Sequence, residues 1–144
     1  MTTALRDDLP VRHGVPLAGE TTLRVGGPAR DLVEVTSTPE LVEVVRALDA
    51  AGEPVLVLGG GSNLLVGDDG FDGTVVKVAT RGVADDVAAC SGAVLTVAAG
   101  EPWDPFVALT VERGFSGMEA LSGIPGSVGA TPIQNVGAYG SEVG

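Results

Sequence analysis

The sequence predicts an α+β chain built as two small lobes. Three observations predict it: strand, helix and strand alternate early in the chain, the texture changes near residue 80, and the core vocabulary of Val, Leu, Ile and Ala is interrupted by 22 glycines with only 3% aromatic residues. At 144 residues the chain can bury roughly 70% of the surface that its unfolded form exposes, enough for a core without disulfide or metal staples.

In the first lobe, residues 1–80, Asp31 to Val35 (D-L-V-E-V) alternates polar and apolar residues with the period of a half-buried strand. Thr38 and Pro39 supply an N-cap and a first-turn proline, and Leu41, Val44, Val45 and Leu48 recur at helical spacing until Gly52 ends the pattern. Pro54 to Leu58 is a short, continuously apolar run that suits a strand covered on both faces. Asp68-Asp69-Gly70 and Asp72-Gly73 read as turns, and the β-branched Thr74 to Val78 as the next strand.

In the second lobe, residues 81–144, Cys90-Ser91-Gly92 reads as a turn before a strand at Val94 to Ala98. Pro105 to Arg113 reads as a helix with Asp104 as N-cap and Gly114 as its end, and Trp103 and Phe106 as its core anchors. Met118 to Leu121 makes one helical turn. Gly123 to Gly144 is dominated by small residues, and a loop-like segment this long and this low in charge is expected to be functional.

Eight Lys and Arg against 19 Asp and Glu leave a net charge of −11, which excludes a surface that tracks nucleic-acid phosphates. A small anion can still be held by local backbone N–H groups, whose field does not depend on net charge. Cys90 and His13 are each alone, so no intrachain disulfide and no Cys/His zinc site can be written, and a single thiol fits a reducing compartment. Met1 to Val15 lacks the apolar stretch of a secretory signal, and Gly and charged residues interrupt every apolar run before membrane-spanning length, although mean hydropathy is +0.35. These features predict a cytoplasmic globular protein with neither nucleic-acid partner nor membrane insertion.

Two segments carry candidate chemistry. Gly59-Gly60-Gly61-Ser62-Asn63 follows the apolar strand directly, where backbone without Cβ lets N–H groups approach a ligand. Leu64 stands where a Rossmann G-x-G-x-x-G needs its last glycine, and no lysine follows in the P-loop sense, so neither fingerprint applies; a tight turn with no ligand is an equal reading. The second segment runs from Gly123 to Gly140, with glycines at 123, 126 and 129 and side-chain donors at Ser127, Thr131, Gln134 and Asn135, suited to phosphate oxygens and a polar ring edge. A helical turn opening at Ser127 to Thr131 would add free N–H groups to attract an anion. A packing loop or linker is the competing reading, against which Gln134, Asn135 and Tyr139 are costly choices in a passive apolar loop. No catalytic set can be assembled: His13 has no nucleophile motif nearby, Cys90 has no cationic neighbour in sequence, and solvated faces explain Glu112, Glu119 and Glu142.

Taken together and in this order, T-T-L-R-V-G-G-P-A at Thr21 to Ala29, L-G-G-G-S-N-L-L-V at Leu58 to Val66 and G-I-P-G-S-V-G-A-T-P-I-Q-N-V-G-A-Y-G at Gly123 to Gly140 resemble the bacterial UDP-N-acetylenolpyruvoylglucosamine reductases. The resemblance extends over nearly the whole chain from about Leu17. It implies a fold of two α+β lobes with FAD between them, of the vanillyl-alcohol-oxidase-like (PCMH) type. It implies that Gly59, Gly60, Gly61, Ser62 and Asn63, with Ile124, Pro125, Gly126, Ser127 and Gly129, hold the FAD pyrophosphate through backbone donors, and that Gln134, Asn135, Gly137, Ala138 and Tyr139 run on around the flavin. The family's reaction uses NADPH to reduce FAD and then reduces UDP-N-acetylglucosamine-enolpyruvate to UDP-N-acetylmuramate for peptidoglycan, supporting the cell wall and cell shape. In the family the proton-donating serine, the glutamate and the arginine of the active site lie C-terminal to the position of Gly144, so no catalytic residue is carried over, and Ser62, Ser116 and Ser127 do not take that role. The second lobe is therefore expected to be incomplete, the chain alone inactive and prone to self-association through an open sheet edge. A non-catalytic FAD or dinucleotide module, and another flavin oxidoreductase of the same fold, are the alternatives.

Overall fold

The computed structural model describes residues 9–88 and 92–143. It divides into two compact units, Met1–Thr80 and Arg81–Gly144. Both mix helix and strand, as the α+β expectation requires.

The first unit is a four-stranded sheet in the order β1 (Val11–Pro16), β2 (Pro28–Val35), β4 (Phe71–Val78), β3 (Val55–Leu58), with helix α1 (Thr38–Ala50) between β2 and β3 in sequence. β1 pairs antiparallel with β2, whereas β2 and β3 both run parallel to β4. Alternation along β2 and β4 sorts their side chains onto two faces. Val33, Val35 and Val76 form one cluster with Val44 and Leu48 of α1, while Leu32 and Val75 form another with Leu17, Ala29 and Leu58. The sheet is thus buried on both faces at its centre, where Leu32, Val33, Val75 and Val76 have no exposed surface.

The structure corrects several local expectations in this unit. Ser37, not Thr38, caps α1: its hydroxyl accepts from the Glu40 N–H, and Glu40 reaches back to the Thr36 N–H at 2.6 Å. Asp72-Gly73 lies inside β4 rather than in a turn, because Gly73 passes close to Pro54, and a register irregularity opposite Ala29–Asp31 absorbs the local distortion. β3 is an edge strand covered on both faces only in part: Val55 packs with the α1-side cluster and Leu56 and Leu58 with the other, but Val57 is 58% exposed. β1 was hidden by the charged texture of its segment; His13 faces Asp31 across the β1–β2 pair, with Nδ1 2.6 Å from a carboxylate oxygen.

The second unit contains the hairpin β5 (Val83–Ala88) and β6 (Gly92–Val97), helix α2 (Trp103–Glu112), two short 3-10 turns at Glu119–Leu121 and Val128–Ala130, and a small hairpin of β7 (Gly137–Ala138) and β8 (Ser141–Glu142). Its core is Trp103, Phe106, Val107, Leu121 and Val136. The expected turn residues Cys90 and Ser91 lie outside the described residues. Asp104 is not the N-cap of α2. The cap position is Pro102, and Asp104 in the first helical turn instead accepts hydrogen bonds from the Ser122 hydroxyl and the Gly123 N–H. Among the described residues no helix is long and apolar enough to cross a membrane.

Candidate cofactor site

In the first unit, the parallel strands β3 and β4 end at the same edge, where ligands of open α/β sheets characteristically bind. Leu58 of β3 is in register with Lys77 of β4, and the chain passes from Leu58 into Gly59, Gly60 and Gly61. Here a cavity of about 460 Å³ is lined by Gly19, Glu20, Thr21, Thr22, Arg24, Gly59, Gly60 and Lys77. Gly61 is buried and has φ +65°, and a Cβ there would collide with the Glu20 carbonyl oxygen, so its glycine is required by the fold itself. The Thr22 N–H donates to the Gly61 carbonyl at 3.0 Å. The segment Glu20–Arg24 is in this way fastened to the glycine loop, and together they form the cavity wall. Ser62 is half-buried and Asn63 exposed just beyond it, outside the lining.

The electrostatics of this wall are organised by Glu20. One carboxylate oxygen accepts from Lys77 Nζ at 2.8 Å and the other from Arg12 at 3.2 Å. Burial alone would raise the Glu20 carboxyl, but the hydrogen bonds and charges of Lys77 and Arg12 outweigh it and hold the group below its ordinary value of 4.5. A carboxyl with a depressed folded value stabilises the fold above its unfolded value and loses that contribution as pH falls through the folded one. The first unit is therefore expected to lose stability below about pH 4.5, and Glu20→Gln to flatten that acid limb; denaturation midpoints measured between pH 3 and 6 check this, and an unchanged limb in the variant would contradict it.

Arg24 is the unusual member of the wall. Its φ of +55° lies in the left-handed region, a conformation that costs a residue with a Cβ about 1 kcal/mol or more. Its N–H donates to the Thr21 carbonyl at 3.2 Å, closing a tight turn beside the cavity.

In the second unit, the segment from Gly123 is held to α2 at several points. The buried Trp103 indole donates to the Leu121 carbonyl at 2.9 Å, the Trp103 N–H to the Gly126 carbonyl at 3.0 Å, and Asp104 takes the Gly123 N–H at 2.6 Å. Those bonds hold the Asp104 carboxyl below its usual range, the Gly123 N–H contributing most and the Ser122 hydroxyl next. Ile124 packs against the core, Pro125 is exposed, and Gly126 has φ +135°. Ser127 is buried and forms an isolated bridge with Pro102.

Two backbone donors in this segment are taken by the protein itself. The Gly129 N–H donates to the Ala99 carbonyl at 2.8 Å, and a Cβ at Gly129 would sit 2.5 Å from the Ala99 Cβ, so this glycine serves close packing. The Val128 N–H is likewise taken, by the Glu101 carbonyl, so the short turn Val128–Ala130 does not present the row of free N–H groups expected from a helix opening at Ser127. Further on, Gln134 donates its N–H to Ala130, Asn135 sits at φ +47° and donates from its side chain to Glu142, and Gly137 and Ala138 form β7. Tyr139 and Gly140, both with positive φ, make the two-residue turn to β8, leaving the Tyr139 side chain 95% exposed. Positive φ at both positions is the geometry that a two-residue hairpin turn requires.

The family model described as an FAD binding domain matches residues 29–144. The chain belongs to this FAD-binding family. It is 65% identical over 130 residues to the UDP-N-acetylenolpyruvoylglucosamine reductase of Cutibacterium acnes, covering 90% of this chain and 35% of that protein. It is 64% identical over 136 residues to the reductase of the same name from Nocardia farcinica, covering 92% of this chain and 33% of that protein. The crystal structure of UDP-N-acetylenolpyruvylglucosamine reductase (MurB) from Thermus caldophilus superposes with a TM-score of 0.70 at 34% identity, covering 93% of this chain and 45% of that one. The chain thus spans about a third of the length of these curated relatives. Its fold is the PCMH-type FAD-binding fold, and its cofactor is FAD.

The residues fit the phosphate-bearing part of that cofactor. Gly59 and Gly60 line the first cavity with backbone that carries no side chain, beside the cations of Arg24 and Lys77. Motif reading singled out the glycines but missed Glu20, Thr21, Thr22, Arg24 and Lys77 as lining residues. The available signal was T-T-L-R-V-G-G, which precedes β2 without strand or helix periodicity and carries an arginine next to β-branched and glycine residues.

Proposed function

We propose that this chain is the FAD-binding part of an NADPH-dependent reductase that converts UDP-N-acetylglucosamine-enolpyruvate to UDP-N-acetylmuramate, acting in the cytoplasm on a peptidoglycan precursor and so on cell shape. The observation that carries the reading is the identity of 65% and 64% to two reductases of that name over nine-tenths of the chain. Residues 1–80 and 81–144 are the two FAD-binding lobes in this reading, each contributing one glycine-bearing segment.

Bound FAD would supply the hydride transfer between NADPH and the enolpyruvyl double bond. The chain's own residues bind and orient. Gly59 and Gly60 admit the diphosphate to the backbone, Gly61 sets the path of the loop, and Ser62 and Asn63 continue it. Ile124, Pro125, Gly126 and Ser127 form the second contact, fixed from behind by Trp103 and Asp104. Gln134, Asn135, Gly137, Ala138 and Tyr139 extend toward the flavin, with Gly129 in a supporting place. No residue of this chain is given the role of proton donor.

The test is the visible spectrum of the chain after incubation with FAD and desalting, then on adding NADPH. Retained flavin supports the cofactor assignment, and bleaching by NADPH supports the reductase over a non-catalytic module; a chain that retains no flavin overturns the reading as applied to these residues. Self-association through the second lobe belongs to the same reading, and sedimentation at two concentrations tests it.

A further inference from the structure

We propose that Arg24 is a diphosphate-contacting residue, the cation that holds the ligand's phosphates at the Gly59–Gly60 cavity. This deepens the FAD reading and rests on it. Among the described residues three cations stand at or near the cavity, and their partners distinguish them. Lys77 Nζ lies 2.8 Å from Glu20 and 3.7 Å from Glu34, and Arg12 is bonded to Glu20. Their charges are largely matched within the protein. Arg24 lines the same cavity, and among the described residues no carboxylate lies within ion-pair distance of it. Among the described residues its guanidinium is a positive charge of the wall without a matching carboxylate, and its planar fork suits two phosphate oxygens at once.

The backbone gives the second, independent argument. A turn made only to connect Thr21 to Val25 would be met by glycine or asparagine at φ +55°, since neither pays the full steric penalty there. Arginine at this position is a local misfit, and a misfit at a cavity wall calls for a use of the side chain. The wall is also fixed. Thr22 is bonded to Gly61, Gly61 is packed on Glu20, and the Thr21 hydroxyl donates to the Val25 carbonyl at 3.4 Å, so Arg24 springs from a turn tied to the very loop that would carry the phosphates.

Arg24→Gly separates the two contributions, because it relieves the strained backbone while removing the charge. The 144-residue chain, its Arg24→Gly variant and its Arg24→Lys variant are compared for melting temperature, for FAD affinity by flavin fluorescence, and for inorganic pyrophosphate affinity by calorimetry. The expected result is a melting temperature for Arg24→Gly equal to or above that of the parent, with FAD and pyrophosphate both bound roughly ten-fold more weakly and much of the loss recovered by Arg24→Lys. FAD and pyrophosphate bound equally by parent and Arg24→Gly would overturn the inference and leave the FAD reading standing. Pyrophosphate binding that depends on Arg24 in a chain that takes no FAD would uphold the inference and remove the FAD reading; a parent chain that binds neither ligand would remove both.

Discussion

Trp103→Ala is expected to destabilise the second unit by about 3–5 kcal/mol, the largest effect of any single substitution in it. Trp103 is 2% exposed at the start of α2 and lies against Phe106, with ring centroids 5.9 Å apart at a tilt of 54°. Phe106, Val107, Leu121 and Val136 share its cluster, so the cavity left by alanine would open at the centre of the only core this unit has among the described residues. The indole also donates to the Leu121 carbonyl, which would lose its partner. Trp103→Phe divides the two contributions: it keeps most of the apolar volume but not the donor, and a loss of about 1–2 kcal/mol is expected. Urea denaturation followed by circular dichroism measures both. A loss below about 1 kcal/mol for Trp103→Ala would show that the packing around this residue is not what holds the unit together. The effect also bears on the cofactor, because Leu121 precedes the second glycine segment, Gly126 lies within it, and both are hydrogen-bonded to this tryptophan. FAD retention is expected to fall with stability in Trp103→Ala.

The elements whose sequence pattern is dictated by one dominant force were legible before the structure. α1 has an apolar stripe, a first-turn proline and a terminal glycine, and its single misplaced feature, Ser37 instead of Thr38 at the cap, reflects two adjacent residues that both offer a hydroxyl. β2 and β4 were legible in their alternating or β-branched stretches. β1 was not, because Arg12 and His13 are exposed and the strand's reason to exist is its pairing with β2, a long-range contact with no local signature. Asp72-Gly73 shows the opposite failure. Its turn chemistry is real, but the close approach of Pro54 imposes strand geometry on it. The glycine segments were legible as places where backbone matters. Which partner each glycine serves was not, since a missing Cβ at Gly61 and Gly129 accommodates the protein itself, whereas Gly59 and Gly60 line a cavity. Arg24 stayed hidden for a related reason: nothing in sequence announces a left-handed φ at a residue other than glycine or asparagine.

That difference between neighbouring glycines yields the second large expected effect. Gly61→Ala is expected to lower stability by about 2–4 kcal/mol, since the new methyl must enter a space held by the Glu20 backbone at a φ of +65° that alanine avoids. The carbonyl of Glu20 cannot swing aside cheaply, because Glu20 is bonded through its N–H to Leu17 and through its side chain to Lys77 and Arg12. Gly60→Val, one residue away, meets different physics. Gly60 is exposed and its φ is outside the left-handed region, so its melting temperature is expected to change little, while a branched side chain standing in the cavity mouth obstructs the diphosphate. The pair therefore separates fold from ligand: Gly61→Ala should lose stability and FAD together, and Gly60→Val should lose FAD, by at least ten-fold in affinity, at nearly constant stability. Thermal melts and flavin fluorescence on both variants make the comparison. If Gly60→Val retained full FAD affinity, the glycine loop would be a structural turn like its Gly61 portion, and the phosphate contact would have to be sought elsewhere on the chain.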